Sequence, residues 1–365
     1  MTYTIHKLDE TIKGAYGLTV ADMNGDGLPD LVVGSIGEPT IAWYAAPTFR
    51  KEVISTAHSG NITLAAHDLT GTGRPDLIVG SGFNRRDRTR IEYLHWLEAP
   101  AIAGEPWVSH WIEEIPFLHR LTLFDVVGAG QPVLIVASLR GAVGEYDEWY
   151  DPGGLWLYPL PADPFGPWLR YALDERLHLN HGLAVCDVDG DGRRDLLVGA
   201  RDGLLWYEPP QGNLCSPWMR WQISPHESSE CWAADLNGDG INEILSIEPW
   251  HGNQLVLYQC PSGDLRHGPW TRTLLDDQLK RGHSLEAVDL DGDGLREIVV
   301  GYNGPGTSLL IYHQDQQTTT GWRREVIDDG LGMGQMQVLD LDGDGQLEIV
   351  ATGLSTGNVR LYHQD

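Results

Sequence analysis

Acidic loops recur along this chain, and their residue types could bind a metal ion. One loop, in the segment VCDVDGDGRRDLLVGA at residues 185–200, places Asp187, Asp189, Asp191 and Asp195 between two short apolar runs. Gly192, at the sixth position, permits a sharp turn. Oxygen ligands crowded into a tight loop suit calcium, a hard cation that takes about six to eight oxygens. The loop therefore predicts a calcium site.

Five copies of the loop keep acidic or amide side chains at positions one, three, five and nine. We expect about five structural calcium ions, bound by Asp22, Asn24, Asp26 and Asp30; Asp187, Asp189, Asp191 and Asp195; Asp235, Asn237, Asp239 and Glu243; Asp289, Asp291, Asp293 and Glu297; and Asp340, Asp342, Asp344 and Glu348. Two other copies have lost the pattern, with Thr70 and Thr72 in one and Val127, Ala129 and Val133 in the other. The alternative interpretation is that Asp and Gly serve only as turn formers.

A second set of residues lies six positions before the first Asp of each copy. The residues at this position are Tyr16, Ile62, His119, His181, Ser229, His283 and Gly334. If the position surrounds the mouth of a central channel, His119, His181 and His283 converge. Three imidazoles form the ligand set of an open zinc or similar transition-metal site. The alternative is a hydrated channel lined by polar side chains without a metal.

The elements that must position these residues follow from the repeat itself. The first Asp residues recur at intervals of 46 to 62 residues, at Asp22, Asp68, Asp125, Asp187, Asp235, Asp289 and Asp340. Each acidic loop joins two short apolar segments, and two further strand-like segments follow, without helical periodicity. The pattern predicts an all-β, seven-bladed β-propeller of four-stranded blades in one domain, residues 1–365. The opening segment, residues 1–9, matches a fourth strand and is expected to complete the last blade.

The connections between second and third strands reach the face opposite the acidic loops, and several are long and chemically rich. They carry Arg85, Arg86, Arg140, Tyr146, Asp147, Trp149, Glu248, Trp250 and His251. Aromatic side chains with polar groups between them suit a sugar, because rings stack on Trp while hydroxyl groups find polar partners. We therefore expect a small or oligomeric carbohydrate as partner, with Arg85, Arg86, Asp147, Trp149, Glu248 and Trp250 as contacts. The oligomeric state is left open.

Charge and composition exclude several classes of protein. The net charge of −27 opposes binding to nucleic acid. No apolar run is long enough to span a membrane. Four cysteines without C-x-x-C spacing predict free thiols. The first residues show no secretory leader, which predicts a cytoplasmic protein, or a secreted or periplasmic one if a leader has been removed.

The acidic loops resemble the FG-GAP or VCBS repeats known from integrin α-subunit propellers and many bacterial proteins. The chain as a whole looks like the propeller portion of aldos-2-ulose dehydratase and, more loosely, like propeller-fold polysaccharide lyases. That resemblance implies metal-assisted β-elimination on a sugar, with a metal on His119, His181 and His283. Tyr146 or His251 would transfer protons, and Arg140 would lie with them at the catalytic site. The dehydratase family carries additional cupin domains for which this chain has no residues.

Two other functions fit the same residues. A lectin-like or adhesion propeller would use the same face to bind carbohydrate or protein without chemistry, although repeated pockets would then be expected at every blade. A structural scaffold would explain the repeats and leave the loop chemistry without a purpose.

Overall fold

A computed structural model describes residues 2–84, 91–102, 104–126, 130, 132–141 and 151–364. The described part of the chain folds into 28 strands and contains no helix. The strands form seven four-stranded antiparallel sheets; in six of them the neighbours follow chain order, and in the seventh β1 pairs with β28. The all-β prediction is therefore confirmed, because each period-two apolar segment pairs with the segment that follows it.

The first strand of each blade starts at one face of the molecule and ends at its acidic loop. The first three blades comprise β2 (Ala15–Ala21), β3 (Asp30–Ser35), β4 (Ile41–Ala45), β5 (Arg50–Ser55); β6 (Thr63–His67), β7 (Asp76–Ser81), β8 (Tyr93–Glu98), β9 (Val108–Glu114); and β10 (Leu118–Phe124), β11 (Val133–Ser138), β12 (Leu155–Pro159), β13 (Tyr171–Asp174). The next two comprise β14 (Gly182–Cys186), β15 (Asp195–Ala200), β16 (Gly203–Glu208), β17 (Met219–Ser224); and β18 (Glu230–Ala234), β19 (Glu243–Glu248), β20 (Gln254–Gln259), β21 (Thr271–Asp276). The last two comprise β22 (Gly282–Val288), β23 (Glu297–Tyr302), β24 (Ser308–Gln314), β25 (Trp322–Asp328); and β26 (Met333–Leu339), β27 (Glu348–Gly353), β28 (Asn358–Gln364), β1 (Tyr3–Asp9).

The seven sheets close into a ring around the first strands. Each first strand contacts the first strand of the next blade, and β26 of the last blade contacts β2 of the first. Every residue of the seven second strands is buried. The second strands are buried on both faces because neighbouring blades pack against both sides of each sheet. The apolar core therefore lies between the blades, around the axis.

The N-terminal strand completes the last blade, as the sequence predicted. Strand β1 pairs antiparallel with β28, so that Ile5 lies opposite Tyr362 and Lys7 opposite Arg360. The Tyr362 hydroxyl donates to Asp328 over 2.7 Å, which ties the closing strands to the end of β25 in the preceding blade. This pairing brings the two described ends of the chain into one sheet and leaves the ring without an open gap between blades.

Two smaller expectations concern cysteines and membranes. Cys186, Cys215, Cys231 and Cys260 are all free thiols. Within the described residues, no helix is long and apolar enough to cross a membrane.

Candidate functional site

Tyr16, His119, His181 and His283 lie at the same level around the propeller axis. Three of them are the second residue of a first strand, and His181 immediately precedes strand β14. The ring centroids of His119 and His181 are 4.6 Å apart, and those of His181 and His283 are 5.0 Å apart. Tyr16 approaches both outer imidazoles, at 5.8 Å from His119 and 5.3 Å from His283. All four side chains are buried.

His251 enters the same cluster from the connection between β19 and β20. Its Nε2 lies 2.9 Å from Nε2 of His181, and its ring stacks on Trp250 at a centroid distance of 4.2 Å. One nitrogen each from His181, His251 and His283 lies within 4.8 Å of the other two. We call the five side chains Tyr16, His119, His181, His251 and His283 the histidine cluster.

The structure thus groups His251, rather than His119, with His181 and His283. His119 stays in the cluster, but its Nε2 faces the Tyr16 hydroxyl at 3.1 Å. The sequence had given His251 a role in proton transfer and His119 a role as ligand. Binding of a metal by any of these imidazoles stays a prediction.

The outer nitrogens of two imidazoles are fixed by acceptors. Nδ1 of His181 lies 2.7 Å from a Glu230 carboxylate oxygen and 3.0 Å from the Ser229 carbonyl oxygen. Nδ1 of His283 lies 2.7 Å from the Gly334 carbonyl oxygen. Because these partners only accept, both Nδ1 atoms carry the proton, and both Nε2 lone pairs face the cluster. Such outer partners are typical of metal-binding histidines.

The environment keeps the imidazoles neutral. Burial lowers the pKa of His181, and the Arg120 charge lowers it further. Burial, followed by the neighbouring imidazoles and Arg281, holds the pKa of His251 well below its usual range. Burial and His181 do the same to the pKa of His283. Neutral imidazole is the form that binds a metal, and burial also raises the pKa of Tyr16 to about 12.

Backbone strain is concentrated around the cluster. Phe117, Leu179 and Arg281 each precede a cluster histidine by two residues, and their φ angles are 52°, 52° and 65°. His251 itself has a φ of 48°. A left-handed conformation is uncommon for residues other than glycine and persists only where the surroundings impose it. Such residues collect at functional sites, which supports a functional role for this face.

A cavity of about 390 Å³ continues from the cluster along the axis between the first strands. Arg120 spans this region, because it donates to the Tyr16 hydroxyl over 3.1 Å and pairs with Glu230 at 3.2 Å. Glu286 also lines the cavity, and burial raises its pKa to about 8. The axis is therefore polar between the histidine face and the acidic-loop face.

The other predicted site residues divide into two groups. Arg85, Arg86, Tyr146, Asp147 and Trp149 lie outside the described residues. Of the rest, Arg140 is buried, with its guanidinium 3.9 Å from the ring centre of Phe117. Glu248 is turned into blade five, where it accepts from the Tyr258 hydroxyl at 2.5 Å and from Arg272 at 2.8 Å.

Four residues that the sequence did not assign belong to this region. The position six residues before the first Asp of each copy is here called the ring position; Tyr16 occupies it in blade one, and the sequence analysis gives it no role. Arg120 and Glu230 directly follow ring positions, and Arg281 lies two residues before one. Aligning the positions on either side of the ring position would have drawn attention to all three charged residues.

The complete acidic loops share one pattern of internal hydrogen bonds. In blade four, Asp187 accepts the N–H groups of Gly190 and Gly192 at 2.8 and 2.9 Å. Asp195, at position nine, is buried and accepts the N–H of Val188 at 3.0 Å. Oxygens of Asp187, Asp189 and Asp195 lie within 4.8 Å of one another, as do those of the equivalent residues in blade six and those at positions one, three and five in blade seven. A hard cation therefore fits the donor set.

The incomplete loop of blade two makes much of the same turn without four ligands. Asp68 accepts the Gly73 N–H at 2.8 Å, and Asp76 accepts the Leu69 N–H at 3.0 Å. The Thr70 hydroxyl donates to Asp76 at 3.1 Å. Positions one and nine thus shape the turn in both kinds of loop, and the acid or amide side chains at position three and the acids at position five are the additional feature of the complete copies.

A closed ring of seven blades, with an acidic turn after the first strand of most blades, defines the class of protein. The FG-GAP-like repeat model matches residues 15–79, 187–246, 235–300 and 289–351. The chain therefore belongs to the FG-GAP-like repeat family.

The curated relatives are longer proteins. Integrin alpha-IIb of Mus musculus is 27% identical over 232 residues, which cover 52% of this chain and 22% of the integrin. Cartilage acidic protein 1 of Homo sapiens is 27% identical over 156 residues, which cover 36% of this chain and 24% of that protein. The chain thus spans less than a quarter of the length of these relatives.

Solved structures share the fold at low identity. A rhamnogalacturonan lyase of Bacillus licheniformis matches with a TM-score of 0.54 and 14% identity, over 99% of this chain and 72% of the lyase. An Agrocybe aegerita lectin that recognises non-reducing terminal N-acetylglucosamine matches with a TM-score of 0.50 and 14% identity, over 94% of this chain and 87% of the lectin. At this identity, the likeness concerns the fold alone.

Proposed function

We propose that this protein is a carbohydrate-active lyase that cleaves a carbon–oxygen bond by metal-assisted β-elimination at the histidine cluster. The observation that carries the proposal is the close group of nitrogens from His181, His251 and His283, which lie within 4.8 Å of one another. Two of these side chains are held from behind by Glu230 and by the Gly334 carbonyl. A lyase and a lectin share the fold, so the fold itself does not choose between chemistry and binding.

The donor set fits a transition metal. Imidazole nitrogen suits zinc and its neighbours, and three protein ligands leave a position for substrate. His181, His251 and His283 would hold the ion. When bound, a divalent metal acts as a Lewis acid toward the substrate carbonyl beside the carbon that loses its proton. The acidic loops would bind calcium on the opposite face and support the ring, since a ligand of the folded state stabilises it.

Tyr16 and His119 are the residues that we assign to proton transfer. The Tyr16 hydroxyl lies 3.1 Å from His119 Nε2 and 3.3 Å from His283 Nε2, while Arg120 donates to its oxygen. Burial raises the pKa of Tyr16 to about 12, so the phenol keeps its proton at neutral pH, and the Arg120 charge would stabilise the phenolate that forms when this proton is donated. The phenolate must then regain the proton that the base removed, and His119 would relay this proton through Nε2 to the phenol oxygen.

The elimination balances with these groups and one base. The proton next to the carbonyl passes to the base, the carbon–carbon double bond forms and the carbon–oxygen bond at the β position breaks. The leaving oxygen takes the Tyr16 proton. Tyr146, which lies outside the described residues, remains the sequence's candidate for the base.

The experiment uses the full chain loaded with Zn²⁺ or Mn²⁺ and a panel of neutral and acidic oligosaccharides. Elimination creates a conjugated double bond, so product is followed by ultraviolet absorbance. Tyr16→Phe should retain the metal and lower turnover by about 10²- to 10⁴-fold, the usual contribution of a general acid. Tyr93→Phe is the matched control, because Tyr93 forms a separate pair with His58 at 2.8 Å.

Two results would contradict the proposal. Tyr16→Phe could turn over substrate as fast as the unaltered protein, which would remove Tyr16 from the chemistry. Alternatively, oligosaccharide could bind with no conjugated product from any member of the panel, which would favour the lectin-like function instead.

A further inference from the structure

The acidic loop of blade seven differs from the other loops in the way its ligand atoms are grouped. In blades four and six, oxygens at positions one, three and nine lie within 4.8 Å of one another. In blade seven, the oxygens of Asp340, Asp342 and Asp344 form one such group, and Glu348 at position nine forms a second group with Asp342 and His363. Blade seven therefore offers two groups of ligand atoms that share Asp342, and the second group contains an imidazole.

The imidazole of His363, on β28, lies beside the carboxylate of Glu348, at the start of β27. Nδ1 of His363 is 3.2 Å from Oε1 of Glu348, and the other Glu348 oxygen accepts the Leu341 N–H at 2.8 Å. Glu348 is buried, and His363 is half-buried. Two ligand atoms that each lie about 2.0–2.1 Å from a tetrahedral zinc ion are about 3.3 Å apart. The distance between this nitrogen and this oxygen therefore suits two ligands of one ion.

Blade six has a histidine at the equivalent position, but a carboxylate of its fourth strand holds that imidazole. His313 on β24 corresponds to His363 on β28, since in both blades the preceding tyrosine pairs with the residue after position nine. Nε2 of His313 lies 3.1 Å from Glu325, and its Nδ1 lies 3.8 Å from Glu297. Among the described residues, the close groups of metal ligands include His363 but not His313. The two blades therefore differ in what the fourth strand places beside the histidine.

The fourth strand of blade seven is β1, and it has His6 where blade six has Glu325. His6 pairs with β28 in the same register in which Glu325 pairs with β24. In this register His6 and His363 are diagonal neighbours on one face of the sheet, about 7–8 Å apart at their backbones. Both line a cavity of about 420 Å³ together with Asp342 and Glu348. His6 is exposed and lies outside the close group, so its side chain is free to turn toward an ion that enters through the cavity.

We propose that blade seven holds a separate transition-metal site, in which His363, Glu348 and Asp342 bind a zinc ion and His6 completes the ligand set. Imidazole nitrogen suits zinc, whereas calcium takes oxygen ligands, so His363 selects the ion. A carboxylate has two oxygens, so Asp342 can serve both this site and the loop's own group. The ion would connect the acidic loop to β27 and β28, and His6 would add β1, the strand that closes the ring. This site is independent of the histidine cluster and of the proposed function.

The test measures zinc binding to the full chain in excess calcium, which competes for the groups that contain only oxygen ligands. The starting variant is His181→Ala, which removes the histidine cluster from the measurement. It should still bind one Zn²⁺ ion per chain in competition with a chelator of known affinity. Adding His363→Gln should weaken this binding by more than about a hundredfold, since loss of even an outer partner of a metal ligand costs about 10- to 100-fold. Adding His6→Ala to His181→Ala should also weaken it.

Blades five and six supply the matched controls. Glutamine is compatible with the fold at this position, because Gln259 occupies it in blade five and donates to Glu243 at 3.4 Å. His313→Gln makes the same change in blade six and should leave zinc binding unchanged.

Three results would overturn the proposal. They are the absence of bound zinc in His181→Ala, an unchanged zinc affinity after His363→Gln, and an equal loss of affinity after His313→Gln. An unchanged affinity after His6→Ala would overturn the assignment of the fourth ligand and of β1 to the site.

Discussion

The two ends of the seven first strands carry different kinds of site. At one end, the acidic loops repeat, and each forms most of its hydrogen bonds within its own turn. At the other end, the histidine cluster combines side chains from blades one, three, four, five and six, which touch one another across the axis. The repeat therefore produces several copies of a site that lies within one blade, the acidic loop. The single central site is formed by residues that differ from blade to blade.

The electrostatics follow the same division. The acidic loops hold several carboxylates in exposed turns, where a cation would relieve their repulsion. In the histidine cluster, His251 is half-buried and the other four side chains are buried, and the neutral imidazoles of His181, His251 and His283 lie beside Arg120 and Arg281. The predictions below test whether the two ends bind different metals and whether burial in the cavity between them raises the pKa of Glu286.

The largest effect is expected from removing one imidazole of the close group. His181→Ala should weaken binding of one transition-metal ion per chain by more than about a hundredfold, since loss of even an outer partner costs about 10- to 100-fold. The measurement is competition for Zn²⁺ against a chelator of known affinity. Calcium binding at the opposite face should not change.

His119→Ala and His251→Ala distinguish the two possible groups of three. The structure places His251 with His181 and His283, so His251→Ala should lose the metal and His119→Ala should retain it. The reverse result would show that the group predicted from the sequence, with His119, is the ligand set.

These variants also mark how far the sequence leads. The seven repeats and the strand patterns predict the ring and its closure, because pairing between consecutive strands is local. The convergence of ring positions predicts that His119, His181 and His283 lie close together. The sequence also places His251 on this face with a role in proton transfer, but it does not group His251 with His181 and His283, because the reach of His251 across the axis depends on the course of an irregular connection. Arg120 and Glu230 were likewise missed, because their partner lies on another blade.

A moderate effect is expected from calcium at the acidic loops. Each occupied loop should stabilise the fold by about 2.7 kcal/mol at a calcium concentration one hundred times its Kd, if the unfolded chain does not bind. Thermal unfolding with chelator and with added calcium measures this stabilisation. Asp293→Asn in blade six should reduce it more than Asp191→Asn in blade four, because Arg266 already pairs with Asp189 there.

Blade two supplies the control for this series. Its loop has Thr70 and Thr72 in place of acids, so Thr72→Ala should leave the calcium-dependent stabilisation unchanged. If chelation shifts no melting temperature in the unaltered protein, the acidic loops are turns rather than metal sites, and the contrast between the two faces loses its chemical basis.

The smallest effect concerns Glu286, on the wall of the cavity between the two faces. Burial raises its pKa from 4.5 to about 8, so the folded state holds a proton that the unfolded state releases. Stability from this group is fully present below pH 4.5 and is lost as the pH rises through about 8. Glu286→Gln, which cannot ionise, should match the unaltered protein at low pH and exceed it at high pH in urea unfolding. The exposed Glu105→Gln control should leave the pH profile unchanged. Parallel profiles for the unaltered protein and Glu286→Gln would mean that water in the cavity solvates the Glu286 carboxylate and that burial does not raise its pKa.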